Sequence, residues 1–366
     1  LQKECGKCLR HPFLWIVCIT FGLFQFLSIY TYVGNAGMRK ELRQMHVAVT
    51  DEETASPEYE SAYADYKKTY GGMYDTLDMR KILEQKEKMS GYEPQGVWGS
   101  WIVRNYDRLQ KRVEQIRKTG EGTYAFYPGS WYKLHSTLYG KLWKKLILQT
   151  AVLMILSMLY LMDYERIYKT QDLVLATTTG KKMMEKKMLA GTLCGLFYAG
   201  LLTVFTLLVF FAAVPFQNLW HVPVAACMVA EPRLQMMYPF VTFWRLEQWR
   251  YLLLALVVLV GLLGIVAAVT AAVQLFLQNS YFSFAVLGLL FMGAYLLAYV
   301  QMGNVWDLIR EFFNPTVLYA TSGGWFMEND LCLSFAGNEF AVLFCSGTAA
   351  VCLMAVGKRR YHRLEV

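Results

Sequence analysis

The sequence is short of charge. Only 17% of its residues are Asp, Glu, Lys or Arg, against 55% hydrophobic, and its mean hydropathy is positive. A soluble domain of 366 residues carries more charge and spreads its apolar residues along stripes. Here they gather into runs of about 18 or more, the length that crosses about 30 Å of hydrocarbon at about 1.5 Å per residue. Inside those runs no Asp, Glu, Lys, Arg or His lies centrally, which argues against proton-coupled carriers, intramembrane aspartyl proteases and voltage sensors. HExxH is missing, as is GxSxG on a strand–turn–helix. The nearest approach to a phosphate loop, TTTGKK at 177–182, lacks the glycine five positions upstream and the Ser/Thr after lysine. On this reading the chain is not an enzyme and does not hydrolyse ATP itself. Repeats and low-complexity tracts are also absent.

What is present is an all-α polytopic membrane protein with six spans, at about 12–33, 144–162, 189–213, 251–275, 281–300 and 340–357. The chain opens at Leu1 rather than methionine, so a few preceding residues are expected. Its first run is too long for a signal-peptide core and lacks a small-residue cleavage site, so it is expected to be retained. Charge orients the spans. The N-terminus, the 163–188 segment and the tail hold thirteen Lys and Arg, while the opposing short loops hold four, at Arg233, Arg245, Arg250 and Arg310. By the positive-inside rule both termini and 163–188 are cytoplasmic. Residues 34–141 then form an extracellular domain of 108 residues, with 17 basic and 15 acidic side chains, long enough to escape the rule. That near balance gives no support for nucleic-acid binding.

Residues 1–11 suit a helix lying on the inner surface before Pro12 opens the first span. Cys5 and Cys8 form a lone CxxC without a second pair or a His cluster, and are read as ordinary cytosolic thiols. No metal site is expected. In the external domain Tyr59, Tyr63, Tyr66, Tyr70, Tyr74 and Leu77 recur at helical spacing, GYEPQG (91–96) turns the chain, and Trp98, Trp101, Ile102, Leu109, Val113 and Ile116 line a second helix. This predicts an antiparallel helical hairpin with Tyr and Trp faces packed together, serving as core or as a docking surface. Ser130 can cap a helix that rests on the outer leaflet and runs into the second span, leaving His135 solvated or interfacial.

Gly191 and Gly195 make a small-xxx-small pattern for close helix contact, within the chain or with a second copy. Thr270, Gln274 and Gln278 share one face of the fourth span, as glue between helices or as the lining of a pathway. Asn279-Ser280 makes a tight hairpin of the fourth and fifth spans. Segment 303–338 reads as short re-entrant helices broken at Asn314-Pro315 and Gly323-Gly324. Cys227 and Cys332 fall on the outer side and can form a disulfide.

The elbow, Asp163 to Ala190, is the long polar segment between the second and third spans. An apolar triplet, Leu173-Val174-Leu175, sits between charged ends. A basic loop obeying the positive-inside rule accounts for the lysines but not for the triplet, which a partner's groove would bury. The elbow resembles that of permease subunits of ATP-binding-cassette exporters of the second type. The matching positions are Glu165, then Asp172–Leu175, then Thr177–Lys182, with Lys186-Lys187 where the family has Gly-Lys and no proline in the TTTG turn. The six spans, the broken outer segment and a large external domain, found in one branch of the family, agree in layout.

The resemblance implies coupling to a separate cytosolic ATPase through Glu165, Asp172, Leu173, Val174, Leu175, Thr177, Gly180, Lys181 and Lys182. It also implies a second permease, identical or homologous, and ATP with Mg held by the ATPase and not by this chain. The cargo would be an amphipathic peptide, lipid or drug, and the location a plasma membrane, of a bacterium. The rival expectation is a non-transporting membrane receptor or assembly factor that binds a ligand with residues 34–141.

Overall fold

The computed structural model describes residues 1–35, 39, 61, 64, 68, 72, 74–90, 96–121, 130–170, 180–214, 216, 219–228, 240–300, 305–328 and 335–364. Six helices among them are long and apolar enough to cross a membrane. With α1 as Gln2–Leu9, the first is α2, Pro12–Val33. Proline at the first turn costs α2 nothing, because that amide has no partner inside the helix.

The second crossing is longer than the apolar run. It begins as α5, Ser130–His135, after the hairpin helices α3 (Met79–Ser90) and α4 (Gly96–Thr119). It continues through a π-helical stretch, Ser136–Leu142, and ends as α6, Trp143–Met162. The short α7, Tyr164–Ile167, lies in the elbow. The third crossing is α8, Gly180–Ala213. After α9, Val224–Met228, come α10, Gln248–Leu277, and α11, Ser280–Ala298. Then α12, Val305–Phe313, α13, Thr316–Ala320, and a 3₁₀ turn, Ser322–Gly324, lead to the last crossing, α14, Asn338–Leu364.

Two helix pairs form the body of the bundle, α6 with α8 and α10 with α14. Small residues let each pair close. A Cβ on Gly191 or on Gly195 would stand 3.1 Å from the Cα of Met158 or Met154, so α8 lies against the backbone of α6. Gly261 receives Leu343, and Gly357 receives Leu275, across the α10–α14 seam. The small-xxx-small pattern is thus used within the chain. Between α10 and α11 the chain reverses over two residues. Gln278 takes a left-handed φ of 51° and ends α10, and the Asn279 side chain accepts from the amides of Tyr281 and Phe282 to begin α11.

One end of the bundle carries the elbow. The chain termini meet there: Lys7 reaches Glu165, and Lys358 lies 3.2 Å from Glu185. At the far end the hairpin is present, with different partners from those the tyrosine spacing predicts. Helix α4 packs on α3, and Tyr74 and Leu77 sit in the irregular chain before it; Tyr59, Tyr63, Tyr66 and Tyr70 lie outside the described residues. The core between the helices is mainly aliphatic, with Met79 and Ile82 against Ile102, Leu109, Val113 and Ile116.

Ala225 and Val241 complete that core, so the α3–α4 hairpin packs on stretches from later in the chain. Buried Arg112 pairs with Glu121 at 2.5 Å and donates to the Thr242 carbonyl, and the Tyr106 hydroxyl donates to Glu328. The broken segment breaks where the sequence indicates. Asn314 caps α13 and donates to the Ala294 carbonyl, and a Cβ on Gly323 would meet Gly140 Cα at 3.1 Å. Ser322 donates to the Tyr139 carbonyl inside the π-helical stretch. Phe326 is held at a left-handed φ of 61°, costly for a bulky residue, by the Glu339 carboxylate on its amide.

His135 is buried and not interfacial, packed on the rings of Tyr139 and Tyr251. The reason is packing: its helix runs on unbroken into the second crossing, and the 3₁₀ turn lies against it, with a Cβ on Gly323 only 3.1 Å from Gly140 Cα. Gly195→Val is expected to lower stability in detergent by about 1–3 kcal/mol, because the added methyls meet backbone. Gly200→Val, where a Cβ meets nothing within 4 Å, is expected to change little. Thermal unfolding of both variants measures the difference.

Candidate functional site: the elbow

Helix α6 stops at Met162, and Asp163 caps it with its amide on the Leu159 carbonyl. Asp163 then looks sideways. Its carboxylate lies 3.4 Å from the Ser280 amide and 3.7 Å from Arg166, while Ser280 Oγ donates to the Leu159 carbonyl. The end of the second span is in this way tied to the start of the fifth. Two residues on, Glu165 is buried and accepts Lys7 Nζ at 3.2 Å from α1. It also pairs with Lys187, which is buried near the base of α8.

Lys7 closes the group from the other side, with its ammonium 2.9 Å from Glu4 and 4.4 Å from the centre of the Tyr164 ring. Two carboxylates therefore face two ammonium groups where α1, α7 and α8 meet. The backbone supports the same arrangement. The Thr170 amide donates to the Glu165 carbonyl at 2.8 Å, and Lys169 turns the chain at a φ of 54°.

Helix α1 is pinned across the base of α8 by more than charge. The Tyr198 hydroxyl donates to the Cys8 carbonyl at 3.5 Å, and the Cys194 thiol points at the Cys5 carbonyl at 3.9 Å. Burial, and next to it the neighbouring Cys194, pushes the Cys5 thiol up from its ordinary value. His11 stacks on Tyr160 at 4.3 Å, extending the contact into α6. Among the described residues no group of three His, Cys, Asp or Glu is arranged to hold a metal ion.

Of the residues that the resemblance assigns to the elbow, Glu165 points into the protein. Gly180, Lys181 and Lys182 form the first turn of α8. Asp172, Leu173, Val174, Leu175 and Thr177 lie outside the described residues. Glu4 is a partner that the sequence reading did not name, while Lys7, Asp163 and Lys187 were given no part in an ion-paired cluster. The Glu4–Lys7 spacing of three and the acidic pair closing the second span were the available signals.

The candidate pathway residues divide. Thr270 and Gln274 are buried, and the Thr270 hydroxyl and the Gln274 side-chain Oε1 have no hydrogen-bond partner among the described residues. Gln278 is off their stripe, because α10 ends at Leu277 and the left-handed turn carries Gln278 away. The reversal into α11 required that turn. Cys227 is a free, buried thiol that accepts from Gln248 Nε2 at 2.9 Å, in place of the Cys227–Cys332 bridge the sequence allowed. Burial pushes its thiol up to about 12, and Cys332 lies outside the described residues.

Comparison with protein-family models, with curated proteins and with solved structures returned no match.

Replacing Glu165 with alanine is expected to cost about 3–5 kcal/mol in the isolated chain, because it leaves Lys187 buried without its carboxylate. Glu165→Leu combined with Lys187→Met is expected to recover most of that loss. A double-mutant cycle on thermal stability measures the coupling; additive effects would mean that the pair is not joined.

Proposed function

We propose that this chain is the membrane-spanning permease subunit of an ATP-driven exporter of the ATP-binding-cassette type. It forms the substrate pathway and receives mechanical work through the 163–188 segment from a separate cytosolic ATPase. The observation that carries the reading is the rigid base of that segment. Asp163, Glu165 and Lys187 tie it at once to the second, third and fifth spans and to α1. A force delivered to this base therefore reaches four helices. The apolar triplet Leu173-Val174-Leu175 between charged ends supplies the surface for a partner's groove.

In this reading the elbow, α1 and the tail are cytoplasmic and the far end is extracellular, in a bacterial plasma membrane. ATP and Mg belong to the ATPase, and a second permease completes the pathway. Thr270 and Gln274 are sealed in the packed bundle and become pathway-lining only when the α10 seams open. The cargo is an amphipathic peptide, lipid or drug.

The test is co-purification with a nucleotide-binding subunit, followed by Asp172→Lys together with Leu173→Asp in the complex. The expected result is ATP hydrolysis that continues while cargo movement falls by about tenfold or more, since at least about 1.4 kcal/mol of coupling is lost. Hydrolysis that stays fully coupled to cargo after both changes would rule out the elbow as the coupler.

A further inference from the structure

We propose that the chain holds one anionic phospholipid in the leaflet remote from the elbow, with an acyl chain in a slot between α2 and α8 and its phosphate on Arg39. The slot has a volume of about 360 Å³ and is walled by Phe26, Ile29 and Val33 of α2 and by Val209 and Ala213 of α8. Its lining is apolar except at one end, where Arg39 stands.

The depth is right for a headgroup. Helix α2 has 22 residues, which rise about 33 Å, slightly more than the hydrocarbon thickness, so Gly34 and Arg39 emerge at the far interface. Arg39 Nη2 lies 3.5 Å from where a Cβ of Gly34 would stand, so the guanidinium sits over the end of the helix.

Charge selects the occupant. Among the described residues the exposed Arg39 guanidinium has no carboxylate, hydrogen-bond or ring partner. Two other cations at this end of α2 are already engaged. Lys145 donates to Ser28 Oγ at 3.0 Å and lies over the Phe24 and Tyr32 rings, and Lys141 lies over Tyr32. Among the described residues Arg39 is the cation that lines the slot, and a guanidinium at the mouth of an apolar slot matches a phosphate carried on a hydrocarbon chain. A zwitterionic lipid fits the same slot but brings its own ammonium to the guanidinium. The inference does not depend on the transport reading.

The experiment is native mass spectrometry of the purified chain with added phosphatidylglycerol or phosphatidylcholine of matched acyl chains. The expected result is one retained phosphatidylglycerol, favoured about tenfold over phosphatidylcholine, with the preference lost in Arg39→Gln and kept in Lys141→Gln. Ala213→Trp, which leaves Arg39 in place and fills the slot, is expected to reduce retention of both lipids. It carries the comparison if Arg39→Gln fails to fold. Unchanged phosphatidylglycerol retention in either slot variant would overturn the proposal. So would displacement of the lipid by inorganic phosphate alone, which would identify Arg39 as a site for a free anion.

Discussion

Two helices in hydrocarbon gain nothing by hiding apolar surface from each other, since the lipid is as apolar as they are. They associate only where their backbones come close enough for dense packing. Gly191 and Gly195 against Met158 and Met154, and Gly261 and Gly357 against Leu343 and Leu275, provide that closeness. The rest of the architecture hangs on these two seams. They set α6 beside α8, which brings Glu165 to Lys187, and they set α14 beside α10, which brings the tail to the elbow.

The two ends of the bundle solve different problems. At the elbow end charges are drawn inward and paired, so that a polar junction is rigid even though it joins apolar helices. At the far end the chain builds a cap from separate stretches: the α3–α4 hairpin, the segment around Thr242 and the stretch that ends at Glu328. The cap closes on the π-helical stretch, where Gly140 and Gly323 touch and the Tyr139 carbonyl is freed to accept Ser322. A π-helical stretch is rare and recurs at functional sites. Here it lies within the long second crossing, at the point where the cap and the spans join.

Much of the layout was legible along the chain. Hydropathy places all six crossings, although the second begins more than a turn earlier than its apolar run. Lysines at 141, 144 and 145 disguise it, and Lys141 and Lys145 are accommodated by aromatic rings and Ser28 of α2. The breaks at Asn314-Pro315 and Gly323-Gly324 and the hairpin at Asn279 were also legible, because proline, glycine and asparagine act on the backbone locally. The tyrosine spacing is legible only in part: Ser61, Ala64 and Lys68 are helical, as the period indicates, but the stripe does not run on past Gly71-Gly72. It has helical period, yet its described end, Tyr74, sits in a turn and donates to the carbonyls of Ala225 and Phe240. Local period cannot show that a side chain is committed to a carbonyl 151 residues away.

The sequence by itself determined the class of molecule, the number of crossings and the positions of the elbow and of the breaks. Each follows from the solvation of short stretches: apolar runs enter lipid, charges stay out, and certain residues stop helices. Only the tertiary structure decided that Glu165 faces Lys7 and Lys187, that His135 is buried, that Gln278 leaves the Thr270–Gln274 stripe, and that Arg39 lines an apolar slot with no partner among the described residues. Each of those depends on which helices touch and on which face. That is set by close packing between stretches far apart in sequence, which no local pattern carries.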